Sequence, residues 1–408
     1  MEFLTSTTPA HALGLIMSFP LGPLREEEVS LEQATARVLA ADITAREDIP
    51  PFPRSLVDGY AVRAKDTYGA REGTPALIQV RGEVLVGEAA EKQVNDGEAF
   101  YVATGAMIPD GADGAVMVEY TRQAGDAVEV TRTVRRGENI CFRGEDVRKG
   151  QVVLEKGRVI SPFDLGVLAA LGVSRIPVYE RPVCGLASSG NEIVPADEVP
   201  GPGKVRDINT HTVSSLTKGQ GCIVRFAGIA KDTVDDIIEK LSALRECDAM
   251  LLSGGSSKGQ SDFMTTAVER LGGRVLFHGL NIKPGKPTIF ATLWGKPVFG
   301  LPGHPVSCAM VVLRFVQPLL ARLRGEGRPL PPRTVCGRLT TNIPSAYGIE
   351  EYVRVSVEKR EGTAPLVTPI FAKSSVISTL SKADGYVVVQ EGQEGLETGV
   401  EVEVLPLG

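Results

Sequence analysis

Residues 183–192 read VCGLASSGNE, an apolar run that ends in small, polar and glycine residues. The apolar part, residues 183–187, is typical of a buried strand, and the glycine that follows it is typical of a turn. A segment with helical character, residues 210–218, comes next. A strand, a glycine-containing loop and a helix in this order indicate one unit of a parallel α/β sheet.

The same order of elements occurs twice more between residues 180 and 325. Glycine-rich loops follow apolar strands at residues 253–259, SGGSSKG, and at residues 300–305, GLPGHP. We therefore predict a doubly wound α/β domain over residues 180–325. All three loops then lie at the carboxyl edge of one sheet, where open α/β sheets bind ligands. Glycine brings backbone N–H groups close to an anion there, and a helix N-terminus behind each loop adds positive potential.

The rest of the chain has other patterns. Residues 1–48 and 141–179 are predicted to form a helical, elongated linker domain. Apolar residues recur there at helical spacing at Leu31, Ala34, Val38 and Leu39. Residues 49–140 are predicted as a β-rich insert, and residues 326–408 as a small C-terminal β-barrel. The predicted fold class is α/β plus β, in a multidomain, elongated subunit.

Composition and charge exclude several classes of protein. The 408 residues are 43% apolar and 23% charged, as in globular domains, and the net charge of −6 argues against a nucleic-acid binder. The six cysteines form no C-x-x-C pair, so zinc-site spacing is absent and a reducing cytoplasm is expected. The most apolar stretch, residues 311–320, is too short to span a bilayer, and the N-terminus lacks a signal-peptide pattern. We therefore expect a cytoplasmic protein that binds neither membranes nor nucleic acid.

Charged residues near the three loops indicate an anionic ligand. Lys283 and Lys286 lie in KPGKP, where two prolines and a glycine stiffen the backbone into a preorganised anion clamp. Three carboxylates lie near the same loops, at Glu192, Asp207 and Asp262. Carboxylates beside phosphate-binding lysines suit Mg²⁺, which completes its shell with phosphate oxygens and water. Any one of these acids is more often a surface charge or a helix cap, and Asp262 stands where a cap is expected.

Signatures of other enzyme classes are missing from the sequence. It has no Walker A loop, no G-x-G-x-x-G dinucleotide fingerprint and no G-x-S-x-G nucleophile elbow. Its four histidines are too few and too scattered to indicate a catalytic triad. Paired-carboxylate chemistry, as in glycosidases, remains open from the residues alone.

Four motifs occur in a fixed order: SLVDGYAVR at residues 55–63, TGAMIP at 104–109, KPGKP at 283–287 and GLPG at 300–303. Together they resemble the molybdopterin molybdenumtransferase family, which is related to the gephyrin E domain, and the resemblance runs through nearly the whole chain. It implies a homodimer of elongated, four-domain subunits. It also implies insertion of molybdate into adenylylated molybdopterin with release of AMP, and a partner, molybdopterin adenylyltransferase.

The resemblance also assigns roles to residues at matching positions. The implied catalytic residues are Asp58, Thr104, Glu192, Asp207 and Asp262, of which the last three are also the implied ligands of Mg²⁺. The implied substrate-binding residues are Ser188, Gly190, Ser253, Gly254, Gly255, Lys258, Lys283, Lys286, Pro302, Gly303, His304 and Pro305. It further implies that the insert of one subunit faces the α/β pocket of the other, so that both sites of a dimer are composite.

Several positions depart from the family pattern. Asn191 and His304 replace an aspartate and an asparagine, and Lys258 stands where a valine is usual. Residues 203–209, GKVRDIN, are also more basic than usual. These changes predict a pocket that is less acidic and more basic. They leave open the choice between molybdate and tungstate and the exact form of the pterin.

Other functions therefore remain in competition with the transferase. A tungstate-specific paralogue would share every motif. A molybdopterin adenylyltransferase resembles the 180–325 domain but needs no linker, insert or C-terminal domain. A non-catalytic cofactor-binding scaffold would explain the lost carboxylate at Asn191, although the retained acids and lysines favour an enzyme.

Overall fold

The structure is a computed structural model that describes residues 6–254, 261–327, 333–359 and 361–407, without the side chains of Ser261 and Asp262. Three six-stranded sheets organise the chain within these residues. One lies in the insert, one in the α/β domain and one in the C-terminal region. The multidomain α/β plus β class predicted from the sequence is confirmed.

The insert is built on an antiparallel-rich sheet, which agrees with the predicted β-rich pattern. Its strands in spatial order are Gly114–Met117, Gly59–Val62, Glu98–Val102, Ala76–Val84, Ala127–Val130 and Thr121–Ala124. Short 3-10 turns at Ala64–Thr67 and Val118–Tyr120 connect them. Apolar clusters cover both faces of the sheet, one around Phe100 and one around Val128, so the strands Gly59–Val62, Glu98–Val102 and Gly114–Met117 are largely buried.

The predicted helix through residues 31–39 is wrong. The chain makes a single 3-10 turn at Leu31–Gln33, and Ala36 then adopts a φ of 62°, which cannot continue a right-handed helix. Its apolar residues are buried by short strand pairs instead. These pairs are Glu26–Ser30 with Arg175–Tyr179, Ile43–Thr44 with Val152–Leu154, and Arg54–Ser55 with Ile140–Cys141.

Two helices lie in the described part of the segments predicted to form the linker. Pro162–Ala170 begins at the predicted position, where Ser161 and Asp164 form a reciprocal capping box. Pro9–Met17 was expected in the linker, but its Ala12 and Ile16 belong to the apolar core of the α/β domain. The first helix therefore packs on the α/β domain rather than on the linker.

The central sheet of the α/β domain has strands in the spatial order Ile223–Ala230, Val183–Ser189, Ala249–Ser253, Lys296–Leu301, Ile289–Leu293 and Arg274–His278. The first four strands are parallel and the last two are antiparallel additions. Its helices include Asn209–Gly219, Val234–Ala243 and Ser261–Arg270. Apolar clusters pack on both faces, as expected for a doubly wound sheet. The strand Ile289–Leu293 was not predicted from the sequence.

Residues 305–323 form a continuous helical segment behind the third loop. It consists of Pro305–Val311, a π-helical turn at Val312–Val316 and Gln317–Leu323. The segment has 19 residues, and its most apolar 18-residue window has a mean hydropathy of 1.5, which is enough by length and composition to cross a membrane. However, 72% of its most apolar window is buried inside the protein, as in the core helix of a globular domain.

The C-terminal sheet reaches back into the α/β domain. Its strands are Ile282–Lys283, Glu350–Glu358, Leu366–Pro369, Val335–Leu339, Glu401–Val404 and Gly385–Val389, with a separate pair, Ile343–Pro344 and Gly395–Leu396, and a short helix, Ser378–Lys382. The strand Ile282–Lys283 pairs in parallel with the start of Glu350–Glu358. The KPGKP loop is therefore attached directly to the C-terminal sheet.

Candidate active site at the carboxyl edge of the central sheet

A cleft of about 580 Å³ opens at the carboxyl ends of the parallel strands. Val183–Ser189 delivers Ser188 and Ser189 to its floor, and the neighbouring strand Ala249–Ser253 delivers Ser253. Of the residues predicted for the site, those lining the cleft are Ser188, Glu192, Asp207, Ser253, Gly254, Pro302, Gly303, His304 and Pro305. The sheet edge therefore brings together residues of the first and third loops and the start of the second, Ser253 and Gly254.

Two of the loop glycines, Gly190 and Gly254, use their backbone amides within the protein. The N–H of Gly190 donates to Ala230 O at 3.1 Å, and the N–H of Gly254 donates to Leu301 O at 3.2 Å. Both glycines have positive φ, 154° and 104°. A Cβ on Gly254 would lie 2.1 Å from Ser189 O. Glycine is needed here because the strands and loops pack closely, and both amides are used inside the protein.

Asp207 caps the helix Asn209–Gly219 and organises the hydroxyls beside it. Its Oδ1 accepts the backbone N–H of Thr210 at 3.0 Å, and its Oδ2 accepts the Thr210 hydroxyl at 2.6 Å. Because the Thr210 hydroxyl gives its proton to the carboxylate, it must accept from Ser188, whose Oγ lies 2.7 Å away. The oxygen lone pairs of Ser188 are thus left for a ligand in the cleft.

Asn209 joins this helix to the third loop, a link that the sequence did not predict. Its Nδ2 donates to Gly303 O at 2.9 Å, across 94 residues of chain. The Oδ1 of Asn209 and the Oγ of Ser189 are buried and have no hydrogen-bond partner among the described residues. Both residues line the cleft. Two polar atoms are therefore held at its wall with their hydrogen-bonding capacity unused.

His304 is tied to the C-terminal region. Its Nδ1 lies 2.9 Å from the hydroxyl of Ser374, and the carbonyl of Ser374 accepts the N–H of Val306 at 3.1 Å. Ser375, the next residue, lines the cleft. The third loop is thus braced by a segment some 70 residues away in sequence, and within the described part of the chain the imidazole is anchored through Nδ1.

The departures in and near the first loop brace a flap, and one of its basic residues, Arg206, lines the cleft. The backbone N–H of Asn191 donates to the carboxylate of Asp232 at 3.0 Å, and the backbone N–H of Asp232 donates to Asn191 Oδ1 at 3.3 Å. Lys204 donates to the Asn191 carbonyl, and Arg206 Nε donates to Glu198 O at 3.1 Å. The strand pair Ile193–Val194 and Val205–Arg206 holds the flap together. The extra basic side chains of residues 203–209 are therefore largely used within this segment.

The KPGKP loop reaches the cleft through Pro287, and its two lysines are not among the residues that line the cleft. Lys283 Nζ is 2.9 Å from Glu351 Oε1 of the C-terminal sheet. Lys286 is exposed, while Pro287 lines the cleft. Buried Gly285 packs against Ile282 and Val311, so the turn between the lysines is fixed. The stiff loop that the sequence predicted is present, and one of its lysines already has a carboxylate partner.

The predicted acidic metal site is only partly described. Glu192 is exposed at the rim, and Asp207 uses both oxygens to bond Thr210. The described residues contain no group of three or more His, Cys, Asp or Glu side chains that could hold a metal ion. Gly255, Lys258 and the side chain of Asp262 lie outside the described residues. The helix that includes Asp262 does begin nearby, at Ser261.

Asp58 and Thr104 meet in the insert, far from the cleft in sequence. The Oδ1 of Asp58 accepts the N–H of Thr104 at 2.7 Å and its hydroxyl at 3.0 Å. These two bonds hold the pKa of Asp58 below its ordinary value of 3.8. Both side chains are exposed, and none of the described residues of the insert lines the cleft.

Cys308 lies beneath the cleft floor in the helix Pro305–Val311. Burial raises the pKa of its thiol to about 12, although a hydrogen bond with Ser253 opposes the shift. The thiol therefore stays protonated at neutral pH, and it serves as a packed apolar group rather than as a nucleophile or a metal ligand.

Comparison with known proteins agrees with this geometry. Three family profiles match in order: the MoeA N-terminal region (domain I and II) over residues 7–172, a probable molybdopterin binding domain over 185–322, and the MoeA C-terminal region (domain IV) over 337–407. The chain is 34% identical to the molybdopterin molybdenumtransferase of Bacillus subtilis, over 93% of this chain and 89% of that protein. The chain belongs to the molybdopterin molybdenumtransferase family.

Other members of this family resemble the chain over nearly its whole length. A putative molybdopterin biosynthesis protein of Methanocaldococcus jannaschii is 36% identical over 93% of this chain and 91% of its own. The crystal structure of the molybdopterin biosynthesis moeA protein from Pyrococcus horikoshii OT3 matches with a TM-score of 0.85 at 34% identity. That match covers 98% of this chain and 100% of that one. The agreement extends to all four regions of the fold.

Proposed function

We propose that the chain is a molybdopterin molybdenumtransferase, which inserts molybdate into adenylylated molybdopterin and releases AMP. The observation that carries this proposal is the cleft with the unused Ser189 Oγ and Asn209 Oδ1 in its wall. An unpaired buried polar atom costs about 1–3 kcal/mol, which a polar ligand recovers when it bonds that atom. A hydroxyl donor and an amide acceptor together suit a ligand that carries both phosphate oxygens and N–H groups, as a pterin phosphate does.

The proposed roles follow from these contacts. Ser188, Ser189 and Ser253 bind and orient the substrate at the strand ends, and Asp207 fixes the hydroxyl of Ser188 through Thr210. The loop of Pro302, Gly303, His304 and Pro305 closes the opposite wall. Lys283 and Lys286 supply positive charge for the oxyanion. Gly190 and Gly254 act by allowing close packing of the loops rather than as anion donors, and Gly255 is proposed as a substrate contact.

Magnesium fits the site as an ion shared with the substrate. Among the described carboxylates that line the cleft, Glu192 is the exposed one at the rim. Mg²⁺ commonly takes one or two carboxylates with phosphate oxygens and water. Asp262 is proposed as a second ligand. Asp207 does not bind the ion in this proposal but supports Ser188 through Thr210. When bound, the ion neutralises phosphate charge. Full turnover in excess chelator would contradict this assignment.

We further propose that the enzyme is a cytoplasmic homodimer whose sites are composite. Asp58 and Thr104 are exposed on the insert and already ordered by their mutual bonds. In the proposal, the insert of one subunit presents this pair to the cleft of its partner, twice in a two-fold dimer. A molybdopterin adenylyltransferase is the proposed partner that supplies the adenylylated substrate.

The deciding experiment supplies purified protein with adenylylated molybdopterin, magnesium and molybdate, and measures AMP. Stoichiometric AMP release that depends on molybdate supports the transferase. Formation of adenylylated pterin from ATP would assign the adenylyltransferase reaction instead, and binding without turnover would assign a scaffold. Replacing molybdate by tungstate in the same assay measures the choice of oxyanion. The variant His304→Asn tests the contribution of the imidazole to that choice.

A further inference from the structure

The KPGKP loop begins on a strand that belongs to the C-terminal sheet. Ile282–Lys283 pairs in parallel with Glu350 and Glu351, and this register sets Lys283 beside Glu351. The Nζ of Lys283 lies 2.9 Å from Glu351 Oε1. The other carboxylate oxygen, Oε2, accepts the hydroxyl of Ser345 at 2.9 Å. The glutamate is thus held from two sides, whereas among the described residues the ammonium of Lys283 is held by the glutamate alone.

The two partners differ strongly in exposure. The side chain of Lys283 is 64% exposed, and that of Glu351 is 13% exposed. An ion pair with one such exposed partner contributes about 0–1 kcal/mol, because water competes for the ammonium. The ammonium can therefore leave the pair at little cost, while the carboxylate stays fixed by Ser345 and its strand.

We propose that Glu351 is an exchange partner for the oxyanion at Lys283. It holds the ammonium in place in the free enzyme and releases it when the anion binds. This rests on the proposed function, in which the KPGKP loop receives the oxyanion. A fixed carboxylate beside an anion site competes with the anion for the lysine. Glu351 is therefore a positioning residue that weakens oxyanion binding and keeps the lysine arranged between turnovers.

Calorimetric titration of the full-length protein with sodium molybdate alone tests the exchange. Glu351→Gln keeps the size of the side chain and removes its charge, so molybdate should bind up to about fivefold more tightly than to wild type. Glu351→Asp keeps the charge and should stay near the wild-type dissociation constant. Glu401→Gln, an exposed carboxylate on another strand of the same sheet, is the matched control and should change nothing.

The gain must also depend on Lys283. In Lys283→Gln the further change Glu351→Gln should bring no tighter binding, because the contested ammonium is gone. Unchanged or weaker molybdate binding in Glu351→Gln, or equal tightening in Glu351→Asp, overturns the exchange, as does wild-type protein that binds no molybdate.

These outcomes are separate from those of AMP release. If AMP release fails while Glu351→Gln still tightens binding, the proposed reaction falls and the exchange stands. If AMP release is normal and binding does not tighten, only the exchange falls.

Discussion

Two aspartates in this molecule make the same pair of bonds in opposite surroundings. Asp207 accepts the backbone N–H and the hydroxyl of Thr210, and Asp58 accepts the same two groups of Thr104. Asp207 is 6% exposed and its partner is three residues away, at the start of a helix. Asp58 is exposed, and its partner is 46 residues away on another loop.

The difference separates stability from recognition. Asp207 is a buried carboxylate that caps a helix and also lies at the cleft. Its loss therefore has two effects, one on folding and one on the cleft. An exposed carboxylate held between two loops contributes little to folding and leaves its outer oxygen free for a ligand or a partner subunit. The cleft is therefore built into the core of its domain, whereas the Asp58–Thr104 pair is an ordered surface feature.

The largest expected difference between the two regions is in the loss of unfolding free energy when a glycine of each is replaced by alanine. Gly254 and Gly105 have similar positive φ, 104° and 90°, but a Cβ would lie 2.1 Å from Ser189 O at the first and in open space at the second. Gly105→Ala should cost about 1–2 kcal/mol for backbone strain alone. Gly254→Ala adds overpacking and should cost about 3 kcal/mol or more in total. Denaturant unfolding measures both.

The comparison is matched because φ is nearly shared, so the difference in unfolding free energy reports the close contact. Equal losses in the two variants would show that the cleft loops can move apart without penalty. Close packing of the strands and loops would then not require glycine at residue 254.

The next contrast lies between the aspartates themselves. Asp207→Ala removes a helix cap and should lower the unfolding free energy by about 1–2 kcal/mol. Asp58→Ala should leave it nearly unchanged, because the carboxylate is exposed. Both variants should lose most AMP release. Melting curves and turnover measured on the same samples decide this, and a large drop in melting temperature for Asp58→Ala would make that residue structural.

A smaller but more specific effect is expected from mixing two inactive variants. Asp58→Ala and Asp207→Asn, co-expressed, should form about half mixed dimers, each with one intact composite site, and restore roughly a quarter of wild-type activity. Asparagine is used at residue 207 because its carbonyl oxygen can still cap the helix. No recovery in a sample shown by mass spectrometry to contain mixed dimers would place each site within one subunit.

The same contrast explains what could be predicted from the sequence. The cleft edge was predictable because strand, loop and helix follow each other within a few residues, and the Asp207–Thr210 bond is local. The bonds of Asn209 to Gly303 and of His304 to Ser374 span 94 and 70 residues, and no local pattern indicates them. The helix predicted at residues 31–39 failed because helical spacing of apolar residues also arises in irregular buried chain. Ala36 adopts a φ of 62° in the structure, but nothing in the sequence around it indicates this break.

The smallest expected effect is a shift in the pKa of Asp58. Its pKa is held below 3.8 chiefly by the backbone N–H of Thr104 and then by the hydroxyl. Thr104→Val removes only the hydroxyl, so the pKa of Asp58 should rise in an NMR titration and still remain below 3.8. Because the folded pKa is depressed, Asp58 stabilises the fold above pH 3.8, and this is lost as the pH falls through the folded pKa. Thr131→Val, whose hydroxyl bonds Tyr120 O in the same insert, is the control and should leave the pKa unchanged. An unshifted Asp58 in Thr104→Val would mean that the backbone N–H alone orders this carboxylate.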